Sequence, residues 1–275
     1  PLPEPLSWVS QHRLLGVLWD CSPDFSNHAK ASIAVQASRV SVLAGLVACR
    51  VLPLALADLL FDSKVESALR FGRWLWGLDP DSRSLLDKAY SSWARLLLGA
   101  DPWRNGAVAM GELGWTMSGS ARCLLDIAAR RARWWQDGSS TLAGGFFLRS
   151  HAWQGTWASR SRSLVLEWGL PDWPDWVASL TSSRAPSTRD YIALCKQRLL
   201  DKCSMCWSSD VGSHTSPVPC ISAPGPLRGH LSTLTWETMI DFRSMIRLRA
   251  GLLSLGHSAE CRSQAKVQQC ILCNK

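Results

Sequence analysis

The sequence lacks the features that would assign it to several common classes of protein. It has no Gly-rich phosphate-binding loop, and its serines and histidines suggest no catalytic triad. Its most apolar stretch, residues 40–61, is interrupted by Arg50, Pro53 and Asp58, and falls short of the ~20 uninterrupted apolar residues that span a bilayer. Its ten cysteines are too sparse for a secreted disulfide scaffold. We therefore expect an intracellular protein, nuclear or cytoplasmic and not secreted, with no membrane anchor.

Tryptophan and basic charge are unevenly distributed. Sixteen tryptophans accompany only two tyrosines, and we expect most of the indoles to lie in the core, because tryptophan at helical spacing usually packs between helices. Residues 1–100 carry 10 basic and 9 acidic side chains, whereas residues 101–275 carry 20 and 13. The later part therefore holds +7 of the net charge of +8. This excess favours an anionic partner such as nucleic acid.

The hydrophobic pattern predicts a mainly α-helical protein with a short β element at its N-terminus. Residues 13–19 form a short apolar run before turn signals, which is typical of a strand or hairpin arm. Helical periodicity predicts a first helix with an apolar face formed by Ile33, Ala37, Val40, Ala44 and Val47. It also predicts helices over residues 53–77, 85–97, 120–136 and 186–206, with a broken helical stretch over 141–168. The apolar stripe of the helix over 85–97 comprises Leu85, Leu86, Ala89, Trp93, Leu96 and Leu97. The prolines of residues 170–176 predict an interruption.

The chain divides into five consecutive segments on this pattern. Residues 1–20 form the strand element, and residues 21–100 form a helical bundle. Residues 101–207 form an irregular helical region, followed by a linker over 208–230 that is rich in Ser, Pro and Gly. Residues 231–275 contain a last helix, over about 235–255, and the C-terminal cysteines.

Cysteine spacing suggests two possible zinc sites. Cys270 and Cys273 form one CxxC pair, and no further ligand follows them before Lys275, so they would supply half of a tetrahedral site. A second set has spacing that would permit a CCHC site, but accidental spacing is the favoured interpretation; it comprises Cys203, Cys206, His214 and Cys220. Single histidines such as His28 and His151 are interpreted as ordinary polar residues.

Two predicted helices carry arginines that could contact phosphate. On the helix over 120–136, Trp135 belongs to the apolar stripe, whereas the opposite, exposed face holds Arg122, Arg130 and Arg133. Arg131 and Trp134 fall at the junction with a neighbouring element, where the indole of Trp134 could stack on an unpaired base. On the last helix, Arg243 and Arg247 lie one turn apart. Phosphate contact and an ordinary solvated or carboxylate-paired face both remain open for these arginines.

Several segments, taken in order, resemble the reverse transcriptases of LINE-type, non-LTR retrotransposons. The segments are RLLGVLWDCSPDFSNH (13–28), VESALRFGRWLWG (65–77), LLDKAYSSWARLLLGA (85–100), AVAMGELGW (107–115), RLRAGLLSLGH (247–257) and CILC (270–273). The resemblance lies in their order and spacing, and it covers nearly the whole chain. It concerns the region just downstream of the polymerase active site.

The resemblance implies a role for each segment. Residues 1–20 would end the palm as the primer-grip hairpin, with Leu15, Gly16 and Val17 beside the primer strand. Residues 21–100 would form the thumb, residues 101–207 the post-polymerase region, and Cys270 and Cys273 the start of a truncated zinc knuckle. The implied partners are RNA or single-stranded DNA, the template–primer duplex, and the palm and fingers of the same polypeptide.

The chain has none of the catalytic aspartates of that family. Polymerase chemistry requires paired aspartates that hold two metal ions, and no aromatic-Ala-Asp-Asp motif occurs in the sequence. Asp79 and Asp81 are the nearest acidic pair, and we expect them to cap a helix. We therefore expect no catalytic residue in this chain, a zinc ion at most, and Mg²⁺ only in the intact polymerase. The alternative function is that of a non-enzymatic helical interaction protein, derived from a decayed or repurposed retroelement copy.

Overall fold

The computed structural model describes residues 11–14, 17–20, 25–100, 105–180 and 186–212. These residues are mainly helical, with one two-stranded antiparallel sheet near the N-terminus, which confirms the predicted fold class. The strands and helices are β1 (Gln11–Leu14), β2 (Val17–Asp20), α1 (Ser26–Ala48), α2 (Leu54–Leu60), α3 (Ser67–Trp76), α4 (Pro80–Leu98), α5 (Gly106–Glu112), α6 (Gly119–Asp137), α7 (Leu142–Ser150), α8 (Trp157–Glu167), α9 (Trp173–Ala178) and α10 (Thr188–Gly212).

The run 13–19, predicted as one strand or hairpin arm, is divided between two paired strands. β1 and β2 are antiparallel, with Gln11 opposite Asp20 and Leu14 opposite Val17. Such a register belongs to a hairpin whose connection is two residues long. The two connecting residues, Leu15 and Gly16, lie outside the described residues.

Helix α1 buries the face that its 3.6-residue period predicts. Ile33, Val40, Ala44 and Val47 on that face are all buried. The helix begins well before the apolar stretch 40–61. Its length and composition alone would allow it to cross a bilayer, but core helices of soluble proteins meet the same criterion of length and hydropathy.

The single helix predicted over residues 53–77 is divided in the structure. α2 continues into a π-helical segment, Phe61–Glu66, and α3 is kinked at Phe71 and Gly72. Gly72 has φ +80°, a left-handed conformation that glycine adopts without steric cost. Prediction of one unbroken helix was wrong because the 3.6-residue pattern continues on both sides of the kink.

Helix α4 has the boundaries that its end signals indicate. Before its first residue, Asp79 accepts hydrogen bonds from the backbone N–H and the hydroxyl of Ser82 (2.8 and 2.6 Å), so it caps the helix as expected. After its last residue, Gly99 adopts φ +64°. The predicted stripe is buried at Leu86, Trp93 and Leu97, whereas Leu96 is exposed.

The contacts divide the chain into two compact units. Unit 1 comprises Pro1–Val35, Leu69–Leu86 and Arg122–Cys195, and unit 2 comprises Gln36–Ala68, Asp87–Ala121 and Lys196–Lys275. Each unit is therefore assembled from segments that are not consecutive in sequence.

Unit 2 has an aromatic core. The Phe61 ring stacks on Trp115 with centroids 4.2 Å apart, and Tyr90 and Trp93 contact Phe61 edge-on. The indole N–H of Trp115 donates to the buried carboxylate of Asp58 (2.8 Å). Burying a carboxylate without such donors is costly, so this bond satisfies a group that the core would otherwise exclude.

The Trp/Pro segment 170–176 interrupts the helices as its prolines predict, since α8 ends at Glu167 and α9 begins at Trp173. The whole segment lies within unit 1. Asp172 caps α9 by accepting from the N–H of Trp173 (3.0 Å), and Pro174 fits within the first turn, where helices tolerate proline. Trp173 and Trp176 are buried against Tyr191, whose ring centroid is 5.3 and 5.4 Å from theirs.

Candidate nucleic-acid interface

Three helices of the chain concentrate positive charge. α6, α7 and α8, with their connections, span residues 119–167 and contain seven arginines and three acidic residues. One of these acids, Asp126, is buried in an ion pair with Arg73 (2.7 Å) and Arg70 (3.2 Å) of α3. Its charge is therefore neutralised internally. The exposed arginines of this region are Arg133, Arg149, Arg160 and Arg162.

The predicted arginine face of α6 is only partly exposed. Arg133 is exposed, whereas Arg122 and Arg130 are half-buried. The Arg130 guanidinium lies over the ring of Trp74, 4.7 Å from its centroid, and 5.7 Å from the Trp134 ring. Burial, followed by the charge of Arg133, lowers the pKa of Arg130, but an arginine remains protonated at neutral pH. Arg130 is therefore a cation fixed against aromatic rings rather than a freely solvated side chain.

Arg131 lies at the predicted junction with neighbouring elements and is fully buried. Its NH2 group donates to both carboxylate oxygens of Asp172 (2.7 Å each), and its NH1 group donates to the Ala158 carbonyl (2.6 Å) and the Ser161 hydroxyl (2.7 Å). This guanidinium therefore connects α6 to α8 and to the start of α9. A buried cation with a full set of acceptors has a structural role and is not available to phosphate.

His151 extends this buried network. Its Nε2 atom is 3.3 Å from NH2 of Arg131. Burial and the Arg131 charge lower the pKa of His151, so the ring is neutral at neutral pH and Nε2 accepts from the guanidinium, which can only donate. The interpretation of His151 as an ordinary polar residue missed this contact.

Trp134 belongs to an aromatic cluster and is half-buried at its edge. It contacts Trp74, Trp157 and Phe147, with centroids 5.3, 4.9 and 5.6 Å away. Trp157 donates its indole N–H to the Trp74 carbonyl (3.0 Å), which fixes the cluster to α3. Trp135, predicted as core, is half-buried and packs edge-on against Phe147.

An apolar pocket of about 450 Å³ opens beside this cluster, entirely within unit 1. Its deepest lining residues, Phe147 and Ala158, are buried. Its walls include Trp74, Trp134 and Trp157, which are half-buried. Its exposed lining residues, which define the mouth, are Ala143, Phe146, Gly155 and Arg160.

The N-terminal hairpin is attached to the rest of unit 1 through His28. The backbone N–H of Leu18 donates to Nδ1 of His28 (3.2 Å), and buried Val17 faces Gly72 at the kink of α3. Burial, and then the charge of Arg13, lower the pKa of His28, so the ring stays neutral and can accept this bond. Of the three predicted primer-grip residues the structure describes only Val17, since Leu15 and Gly16 lie outside the described residues.

The remaining predicted site residues are mostly outside the described part of the chain. Cys203 is half-buried and Cys206 is exposed on α10, and burial raises the pKa of the Cys203 thiol. Within residues 11–212 as far as the structure describes them, no three metal-ligating side chains come together. The predicted residues that lie outside are His214, Cys220, Arg243, Arg247, Cys270 and Cys273.

Comparison with protein-family models, with curated proteins and with solved structures finds no match for this chain.

Proposed function

We propose that this chain is the nucleic-acid-holding part of a LINE-type, non-LTR retrotransposon reverse transcriptase. Its role would be to grip template and primer while the palm and fingers of the same polypeptide transfer nucleotides. The observation that carries the proposal is the exposed charge of α6–α8, where four arginines are exposed and Asp126 is buried in an internal ion pair; the arginines are Arg133, Arg149, Arg160 and Arg162. Such a surface attracts phosphate irrespective of base sequence.

The order of the motifs and the position of the hairpin support the same function. A primer grip must bring backbone close to the primer strand, and Gly16, which lies between β1 and β2 in the sequence, lacks the Cβ atom that would intrude. The attachment of β2 to His28 and Gly72 fixes the hairpin on a helical body. Because the paired aspartates are absent from the sequence, nucleotidyl transfer is not assigned to this chain.

Salt-dependent binding of single-stranded RNA or DNA by the full chain tests the proposal. Each phosphate neutralised releases counterions, so the logarithm of affinity should fall with the logarithm of salt at a slope of about −0.7 per contact on a single strand. The double variant Arg122→Ala/Arg133→Ala should weaken binding and flatten the slope by about 1.4. Both residues lie on the predicted binding face of α6, where Arg133 is exposed and Arg122 is half-buried.

A matched control removes two exposed cations of α10, Arg189→Ala/Lys196→Ala, and should leave the slope nearer to that of the wild type. Equal effects of the two double variants would show that binding follows net charge and not the α6 face. Failure of the wild-type chain to bind either nucleic acid would overturn the proposal.

A non-enzymatic interaction protein is the second candidate, and exposed apolar side chains of unit 2 favour it. They lie on α1, on α2 and between them; they are Val42, Leu46, Val51, Leu56 and Leu59. Exposed apolar surface of this kind is used to bind other proteins. This candidate predicts no salt-dependent nucleic-acid binding.

A further inference from the structure

We propose that the aromatic pocket of unit 1 binds one base of a single-stranded nucleic acid, with Phe146 and Trp134 as stacking surfaces and Arg160 beside the adjoining phosphate. This inference rests on the proposed function and names the ligand that one part of the surface would recognise. Among the residues that line the pocket, the sequence pattern predicted a role in base stacking for Trp134 alone.

The walls of the pocket suit a flat aromatic ring. Tryptophan and phenylalanine side chains from α3, α6, α7 and α8 line it, and no acidic side chain is among its lining residues. Its volume of about 450 Å³ falls within the usual size range of small-molecule sites. Bases of every sequence have a π-face, so aromatic walls can bind them without strong sequence preference.

The mouth of the pocket supplies the complementary charge. Phe146 is 65% exposed and stands at the opening, which leaves its ring accessible to an incoming base. Arg160 is the exposed cation of the lining, and Arg130 lies over Trp74 behind the wall. A ligand that combines an aromatic ring with an adjacent anion matches this arrangement, and a nucleotide in a strand is such a ligand.

The test compares two strands that differ only in their bases. The full chain is titrated with a short oligothymidylate and with an abasic deoxyribose-phosphate strand of the same length, which carries the same phosphates. Stacking of one base corresponds to a preference of about fivefold to hundredfold. We therefore expect wild-type protein to bind the oligothymidylate more tightly by at least about fivefold, with equal salt slopes for both strands.

Two variants locate the preference in the pocket. Phe146→Ala removes an exposed ring from the mouth, and Ala143→Leu fills the mouth while leaving every core side chain in place. Both should abolish most of the preference and leave binding of the abasic strand unchanged. The control is Leu142→Ala, since Leu142 is 80% exposed on the same helix and does not line the pocket; it should keep the preference.

Each outcome decides between the two proposals. Salt-dependent binding of both strands without preference for bases overturns the base pocket and leaves the proposed function standing. A preference that survives in both Phe146→Ala and Ala143→Leu also overturns the pocket, because the bases then bind elsewhere. Absence of binding to either strand overturns the proposed function itself.

Discussion

Arg131 and Asp172 show how a single buried pair connects three helices of unit 1. Arg131 is fully buried and Asp172 is 1% exposed, so each ion has lost its hydration. The loss is offset because the carboxylate accepts three bonds from the guanidinium and one from the N–H of Trp173, while the guanidinium also donates to Ala158 and Ser161. Replacing one partner alone therefore leaves an uncompensated buried charge.

Asp172→Asn tests this pair directly. Asparagine caps helices as well as aspartate does, so the α9 cap is retained and the lost interaction is the charge. We expect the free energy of unfolding to fall by about 3–5 kcal/mol in urea denaturation. Asp175→Asn, at an exposed position of the same helix, is the matched control and should change stability little. A similar loss in both variants would mean that the buried charge pair is not what stabilises this junction.

The kink in α3 is the element that holds the hairpin. Gly72 adopts φ +80°, and a Cβ atom built there would lie 3.3 Å from Nε2 of His28 and 3.8 Å from the Val17 side chain. The left-handed turn and the close approach therefore both require glycine. The sequence shows that a glycine is present, but neither its conformation nor its contact with His28, 44 residues earlier in the chain, follows from local spacing.

Gly72→Ala and Gly155→Ala separate the cost of the left-handed backbone from the cost of the close contact with His28. Gly155 has φ +78° but nothing within 4 Å of an added Cβ, so its substitution measures the backbone strain alone. We expect a loss of about 1–2 kcal/mol for Gly155→Ala, and a larger loss for Gly72→Ala because the His28 ring must also shift. Chemical denaturation gives both values. Equal losses would show that the hairpin adapts without cost to a methyl group at the kink.

At the scale of the whole molecule, local sequence patterns predicted the helices themselves better than they predicted which residues of distant segments contact one another. Hydrophobic period and end signals were sufficient for α6 and for the Asp79 cap, because each depends on residues within a few positions. The placement of Arg131 toward a junction was correct for the same reason. The identity of its partner was not predictable, since Asp172 lies 41 residues further along the chain.

The candidate site was predicted less completely than the fold. Helical spacing placed Trp134 at the edge of the apolar stripe of α6. The pocket beside it forms only where α3, α7 and α8 pack against α6, and the hydrophobic period of one helix does not predict which other helices pack against it. Arg130 was assigned to the exposed face because spacing cannot show that Trp74 lies beneath its guanidinium. Segments of both units alternate along the chain, so a division into consecutive segments could not describe the packing.

The pH dependence of stability is a property of the whole folded chain that follows from two histidines, buried His28 and half-buried His151. Burial lowers the pKa of both His28 and His151 below 6.5, so the folded chain binds protons less readily than the unfolded chain. The free energy of unfolding should therefore be constant above about pH 6.5 and fall as the pH falls through that value toward the lowered pKa values.

His28→Gln keeps an acceptor for the N–H of Leu18 but cannot titrate, so its unfolding free energy should fall less steeply in acid. His12→Gln, at an exposed position of β1, should retain the wild-type dependence. Urea denaturation across this pH range measures all three proteins, and an equally steep fall in His28→Gln would contradict a role for His28 in the acid sensitivity.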